Sequence, residues 1–283
     1  MRIAVLGMGK MGHAVAGRLL DHGHEMTVWN RSAGKAGDLV GNGASEASSP
    51  SEAVASAEVV VTSLADDTAV LSVLEDGVAE SLQSVAVLCD MSTVSPATAG
   101  KLSEAVNGRF LASPILGAPS AVSSGEAAYL VGGRKEHFDH LAALFGDLSE
   151  KARYVGDDPR RALEMKLLAN YLLLGGLALV SEAVATAQAI GLSDDVISEF
   201  LSSSPLVAPG LRNRIEQVVQ GRHDGWFQTT LGAKDVRLLE DLATERALRL
   251  PLAELVKRRY EEAAAEGHGD EDITAVVELL RAQ

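Results

Sequence analysis

The chain has 283 residues, 47% of them hydrophobic, enough to bury a substantial core and divide into two domains. Its 39 acidic side chains outnumber 25 lysines and arginines, and the net charge of -14 argues against broad binding to nucleic acid or anionic membranes. Only 4% of residues are aromatic, which leaves no stacking platform for single strands, and the lone Cys89 excludes an intrachain disulfide and fits a reducing compartment.

In chain order, Met1-Arg-Ile-Ala-Val-Leu is an apolar run of strand length that feeds straight into Gly7-Met8-Gly9-Lys10-Met11-Gly12, and a helical pattern follows. In such a G-x-G-x-x-G segment the first glycine permits a tight turn out of the strand. The second lets backbone approach a pyrophosphate, and the third lets helix pack on strand, while the new helix turns its N–H groups to the phosphates. These six residues are candidate dinucleotide ligands; the alternative is a merely structural turn. No leader pattern precedes the strand, so a cytoplasmic protein is expected.

Further strand patterns run over 25–31, 58–64, 85–90, 110–115, 128–132 and, briefly, 153–155, with helical stretches such as 51–56 and 97–105 between them. Cys89 reads as a small buried strand residue. The β–α alternation predicts a mostly parallel sheet covered on both faces. Near Pro159 the texture changes, and to Gln283 only helical pattern remains. The expected fold is an α/β N-terminal Rossmann-type doubly wound sheet, residues 1–158, followed by an all-α C-terminal domain, residues 159–283, linked by a long helix.

That helix is predicted from Pro159 to Ile190, closed by Gly191, and spans on the order of 45 Å. Apolar residues surround its middle on nearly all sides, which predicts burial between other elements. Its length suits a helix shared by two domains or two subunits, and a homodimer or larger homo-oligomer is expected. Its uncharged stretch Leu167 to Val180 is shorter than the roughly 20 residues of a membrane span. Gly175-Gly176 within it points to close helix packing ahead of a hinge.

The second strand ends Trp29-Asn30-Arg31-Ser32. A carboxylate usually stands there in folds that read an unphosphorylated ribose, and it would repel a 2′-phosphate. Asn30 does not repel it, while Arg31 and Ser32 offer a guanidinium fork and a hydroxyl. NADP(H) is therefore the expected cofactor, against the alternative of an ordinary exposed arginine. Leu64 and Ala65, after the third strand, join the cofactor candidates.

On the long helix, Lys166 is a lone cation heading an apolar segment, with Asn170 one turn on along the same face. Desolvation lowers a lysine's pKa and makes it a usable proton donor near neutral pH. The bland alternative is a snorkelling lysine at the edge of a buried helix.

Taken together, these segments resemble the β-hydroxyacid dehydrogenase family: 3-hydroxyisobutyrate dehydrogenases and tartronate, glyoxylate or succinic semialdehyde reductases. Gly7-Met-Gly-Lys-Met-Gly12 is similar to the family's G-x-G-x-M-G loop, and Gly23-His24 through Asn30-Arg31 to its second strand. Asp90-Met-Ser92-Thr93-Val-Ser-Pro96 resembles D-x-S-T-x-x-P, which sits between nicotinamide and substrate. Lys166 with Asn170 falls where the family has a catalytic lysine and an amide neighbour. Phe227-Gln-Thr-Thr-Leu231-Gly-Ala-Lys234-Asp235 is close to F-x-x-x-L-x-x-K-D, whose lysine approaches the cofactor.

The resemblance implies hydride transfer to a small carbonyl acid, or from its hydroxy acid, in a cleft between the two domains. Lys166 would be the acid or base and Asn170 its orienting partner. Ser92, Thr93 and the Gly117 backbone would hold the substrate's polar end. Thr93 and Lys234 would also contact cofactor, or Lys234 would close the cleft. Two departures stand out. The family's D-A-P-V-S-G-G carboxylate anchor appears as Ala112-Ser-Pro114-Ile-Leu116-Gly117-Ala118, and the glycine-rich approach to the lysine as Arg160-Arg161-Ala162. The first predicts a weaker carboxylate anchor and more apolar contact. The arginines read as solvated cations ahead of anion ligands. Two rival readings are an NADPH-dependent imine reductase on the same fold, favoured by the Leu116 loop and disfavoured by Lys166, and a catalytically silent NADP-binding scaffold. The seven histidines show no metal-ligand spacing, so no metal is implied.

Overall fold

The computed structural model describes residues 1–82 and 84–281, and the chain clusters into two compact units, Met1–Lys166 and Leu167–Gln283. The first carries a nine-stranded sheet: β1 (Arg2–Leu6), β2 (Glu25–Trp29), β3 (Ser45–Glu46), β4 (Val59–Thr62), β5 (Val87–Asp90), β6 (Phe110–Ala112), β7 (Ile115–Leu116), β8 (Ala128–Gly133) and β9 (Ala152–Gly156). Their order is β3-β2-β1-β4-β5-β6-β8-β7, with β9 beside β8. Pairing is parallel from β3 through β6 and between β8 and β9; β8 runs antiparallel to β6 and β7.

Strand alternation divides the core between the two faces. Ile3, Val5, Met26, Val28, Val59 and Val61 pack on one side, and Ala4, Leu6, Val60, Leu88 and Phe110 on the other. A sheet apolar on both faces must be covered on both, which is the doubly wound arrangement. β1 lies between β2 and β4, so the strand order reverses there. That switch point is where such sheets open a crevice at their carboxyl ends.

The structure corrects several boundaries. The run 110–115 is interrupted at Ser113-Pro114, where proline has no N–H to donate, so β6 and β7 pair in one register with successive parts of β8. Val85 is 74% exposed and lies outside β5, which begins at Val87. β3 is only two residues long, too short for an alternation pattern to show.

The second unit is helical, and among the described residues its extended pairing is limited to an isolated bridge between Gln228 and Asp272. The long helix runs Arg160–Ala189. It is long and apolar enough to cross a membrane by length and composition. Leu174, Leu177, Val180 and Val184 nevertheless pack in a bundle core with Val218, Val236, Tyr260 and Ile273. The Tyr260 hydroxyl donates to the Leu174 carbonyl at 3.1 Å. A Cβ on Gly176 would lie 2.8 Å from Leu211 Cδ1, so close packing accounts for this glycine. Burial on nearly all sides is not what the structure shows: Leu172 is 75% and Leu179 64% exposed. The second unit's own helices cover only part of the circumference, and the apolar remainder faces outward.

Candidate active site

The turn after β1 has the backbone that phosphate binding needs. Gly7 sits at φ +103°, and a Cβ there would strike the Ser63 carbonyl oxygen at 2.3 Å. A Cβ on Gly12 would lie 1.9 Å from the Gly7 oxygen, so the helix Lys10–Asp21 can press on the turn only without a side chain. Gly9, by contrast, has open space where its Cβ would be, and no side chain caps the helix it precedes. First-turn N–H groups therefore face an unobstructed approach, a fit for a pyrophosphate. Met8 and Gly12 are buried, whereas Gly9 and Lys10 are exposed and Met11 half-buried.

Asn30 has a role that its residue type did not disclose. Its Oδ1 accepts the Met8 N–H at 2.9 Å and its Nδ2 donates to the Ser32 carbonyl at 2.9 Å. It thus braces the glycine loop against the loop after β2. Arg31 and Ser32 are exposed beside it, and no carboxylate occupies the end of β2. The residues present suit a dinucleotide carrying a ribose phosphate.

β4 and β5 are parallel, so Leu64 and Ala65 after one lie on the same sheet edge as Ser92 and Thr93 after the other. The Ser92 hydroxyl accepts the Leu64 N–H at 2.9 Å. The Ser92 N–H and the Thr62 hydroxyl both donate to Asp90 Oδ1, at 3.1 and 2.8 Å. Farther out, Asp67 accepts the N–H and hydroxyl of Ser95 at 3.0 and 2.5 Å. Partial burial pushes the Asp67 carboxyl up, but the Ser95 and Thr98 donors outweigh it and hold it below its ordinary range. Ser92 is buried and Thr93 half-buried.

β7 runs in the same direction as β5 and β6, since both β6 and β7 are antiparallel to β8. Its carboxyl end is therefore on the same edge. There Lys166, 9% exposed, donates from Nζ to the Ile115 carbonyl at 2.6 Å. Gly117 follows at φ +153°, where a Cβ would crowd Ala127 at 3.1 Å. The first unit thus gathers the glycine loop, Leu64, Ala65, Ser92, Thr93, Gly117 and Lys166 along one sheet edge. Arg160 and Arg161 are exposed and pair locally with Asp158 and Glu164, at 2.9 and 2.8 Å.

Within the second unit, Asn170 is 5% exposed and its Nδ2 donates to Asp235 Oδ2 at 2.5 Å. Lys234 Nζ pairs with Asp235 Oδ1 at 3.1 Å. Asp235, 3% exposed, therefore joins the two residues that the sequence singled out. Sequence reasoning missed it as a site residue. The available signal was its place directly after Lys234, a carboxylate on the buried face of an amphipathic helix, Thr229–Thr244.

Comparisons with known proteins cover both units. A family model described as the NAD binding domain of 6-phosphogluconate dehydrogenase matches residues 2–156. Another, described as NAD-binding of NADP-dependent 3-hydroxyisobutyrate dehydrogenase, matches residues 161–280. An uncharacterised oxidoreductase of Bacillus subtilis is 34% identical, the alignment covering 99% of this chain and 100% of that protein. Glyoxylate/succinic semialdehyde reductase 1 of Arabidopsis thaliana is 31% identical, with 99% of each chain covered. Among solved structures, 3-hydroxyisobutyrate dehydrogenase from Salmonella typhimurium superposes with a TM-score of 0.91 at 25% identity over 99% of both chains. An imine reductase from Streptomyces aurantiacus also matches over 99% of both chains at 26% identity, with a lower TM-score of 0.66.

Proposed function

The chain belongs to the β-hydroxyacid dehydrogenase family of nicotinamide-dependent oxidoreductases, and on that premise we propose that it reduces a small semialdehyde-type acid with NADPH, with Lys166 as the proton donor. The observation that carries this reading is the Lys166 ammonium, buried and seated 2.6 Å from the Ile115 carbonyl at the carboxyl edge of the sheet. Bound NADPH supplies the hydride that adds to the carbonyl carbon.

The rest is the work of this chain's side chains. An ammonium has three donors. The Ile115 carbonyl fixes one of them and so sets the direction of the others. Lys166 polarises the substrate's carbonyl oxygen, protonates it as negative charge develops, and takes the proton back when the hydroxy acid is oxidised. Asn170, one turn along the helix, orients substrate or lysine, and Asp235 holds its amide in register. Ser92, Thr93 and the Gly117 backbone hold the substrate's polar end, with Ser92 also bracing Leu64. Gly7, Met8, Gly9, Lys10, Met11 and Gly12 cradle the pyrophosphate. Arg31 and Ser32 take the 2′-phosphate, Asn30 sets the loop they stand on, and Leu64, Ala65, Thr93 and Lys234 complete the cofactor contacts.

Residues 1–158 form the cofactor domain in this reading, and residues 159–283 contribute Asn170 and the subunit contacts. Exposed Leu172, Leu179, Val196 and Phe200 support a homodimer, because an uncovered apolar surface of this kind is covered in a stable assembly. A cytoplasmic enzyme is consistent with its single buried cysteine. Leu116, where the family carries a serine, favours substrates with a weakly held carboxylate. The same residue favours the imine-reductase alternative, which Lys166 opposes.

The test is NADPH oxidation against glyoxylate, succinic semialdehyde, tartronate semialdehyde, methylmalonate semialdehyde and a cyclic imine. Turnover of a semialdehyde is the expected result. Turnover of the imine alone would replace the reading with its rival, and NADPH binding without turnover of any compound would favour the silent scaffold.

A further inference from the structure

Asp90 ends β5 and is 0% exposed, two strands from β1 and the switch point. Its two oxygens are unequal. Oδ1 accepts the Thr62 hydroxyl and the Ser92 N–H, and Oδ2 is buried with no hydrogen-bond partner among the described residues. The donors that reach the carboxyl are hydroxyls and a backbone amide; none is a cation. Asp67, at the start of the helix after β4, adds a like charge, and the neighbouring Cys89 thiol is itself fully buried and pushed up by that burial. An ionised carboxylate in such a place has lost its hydration with nothing of opposite sign to replace it.

We propose that Asp90 is a neutral carboxylic acid in the folded protein and serves as the positioning residue that locks the loops after β4 and β5 together. Through Ser92 it sets the Leu64 N–H, and so fixes the sheet edge against which the cofactor lies. The positioning half of this rests on the cofactor reading above; the protonation half does not. The direction of the carboxyl's titration agrees with the geometry: burial pushes it up, and the Ser92 and Thr62 hydrogen bonds oppose that push without reversing it.

The consequence for stability has a definite sign. Below about pH 4 the carboxyl is protonated in folded and unfolded chains alike, and pH has no effect through it. Above that, the unfolded chain releases the proton and the folded chain keeps it, so wild-type stability falls as pH rises towards the folded-state pKa. Asp90→Asn keeps the accepting oxygen and cannot ionise.

The experiment compares urea midpoints of wild type and Asp90→Asn from pH 4 to pH 8, without cofactor. The expected result is a difference that grows in favour of the asparagine variant as pH rises. A difference growing in favour of wild type would show an ionised, compensated carboxylate and overturn the protonation claim. In parallel, NADPH fluorescence titrations give Kd for wild type, Asp90→Asn, Asp90→Ala and Thr62→Val. Asparagine is expected to stay within threefold of wild type, alanine to weaken binding at least tenfold, and the valine variant, which keeps the shape and loses one donor, to fall between them. Should alanine prevent folding, the valine variant decides: unchanged NADPH affinity there overturns the positioning role. A wild type that does not bind NADPH would instead overturn the cofactor reading and leave the urea comparison standing.

Discussion

The two units hold their buried polar groups in different ways. In the sheet unit, the groups at the strand ends are tied by backbone and neutral donors: Asn30 to Met8, Ser92 to Leu64, Thr62 to Asp90, and Lys166 to a carbonyl rather than a carboxylate. In the helical unit, buried or nearly buried ion pairs do this work. Arg214 and Asp272 lie 3.5 Å apart with side chains 6% and 1% exposed, the guanidinium over the Trp226 ring at 5.2 Å. Lys234 pairs with Asp235. The difference follows from the elements. Parallel strands all present their carboxyl ends at one edge, where loops offer many N–H groups. Along the side of the helix Thr229–Thr244 no free N–H group is on offer, so Asp235 meets Lys234, whereas Asp272, at a helix start, takes backbone N–H groups and Arg214 together.

The largest effect expected from this contrast is on stability, in the helical unit. Asp272→Asn leaves Arg214 charged and buried without its counter-ion, and weakens the bonds that Asp272 Oδ2 accepts from the N–H groups of Trp226 and Phe227. A loss of roughly 3–5 kcal/mol is expected from breaking a buried pair of this kind. Urea denaturation measures it, and a loss under about 1 kcal/mol would remove the ion-pair account of the unit. A smaller effect, on turnover, is expected at Asp235. Asp235→Asn keeps the shape while changing what Asn170 and Lys234 face, and kcat should fall on the order of tenfold with NADPH affinity held within about threefold. Equal losses in both would make Asp235 a cofactor residue.

In the sheet unit a comparable substitution should alter specificity while leaving the fold intact. Arg31 is exposed, so Arg31→Ala is expected to leave the urea midpoint unchanged. NADPH binding should weaken about tenfold, the scale of a lost charge-assisted hydrogen bond, with NADH binding little altered. Equal losses for the two cofactors would withdraw Arg31 from the 2′-phosphate site.

The same contrast explains what could be read from the residues. The glycine loop was legible because each glycine answers a local steric demand, seen in the 1.9 Å that would separate a Gly12 Cβ from the Gly7 oxygen. The parallel sheet and the long helix followed from periodicity, and the helix starts and ends within a residue of the prediction. The division of 110–115 at Pro114 was available in the sequence and was overridden by the apolar run around it. The uncovered face of the long helix was not available, since a row of leucines looks the same whether another element covers it or not. Asp235 and Asp90 were hidden for a related reason. A buried carboxylate declares its role only through partners distant in sequence: for Asp90, Thr62 is 28 positions away, and for Asp235, Asn170 is 65.

The central claim concerns Lys166, and the most direct measurement compares Lys166→Ala with wild type in two assays on the same preparations: kcat with the preferred semialdehyde, and NADPH Kd by fluorescence. A proton donor seated on the Ile115 carbonyl predicts a fall in kcat of about 10²- to 10⁴-fold with Kd changed less than about threefold. A variant that keeps most of its kcat would contradict the assignment, and a loss confined to Kd would make Lys166 a cofactor ligand.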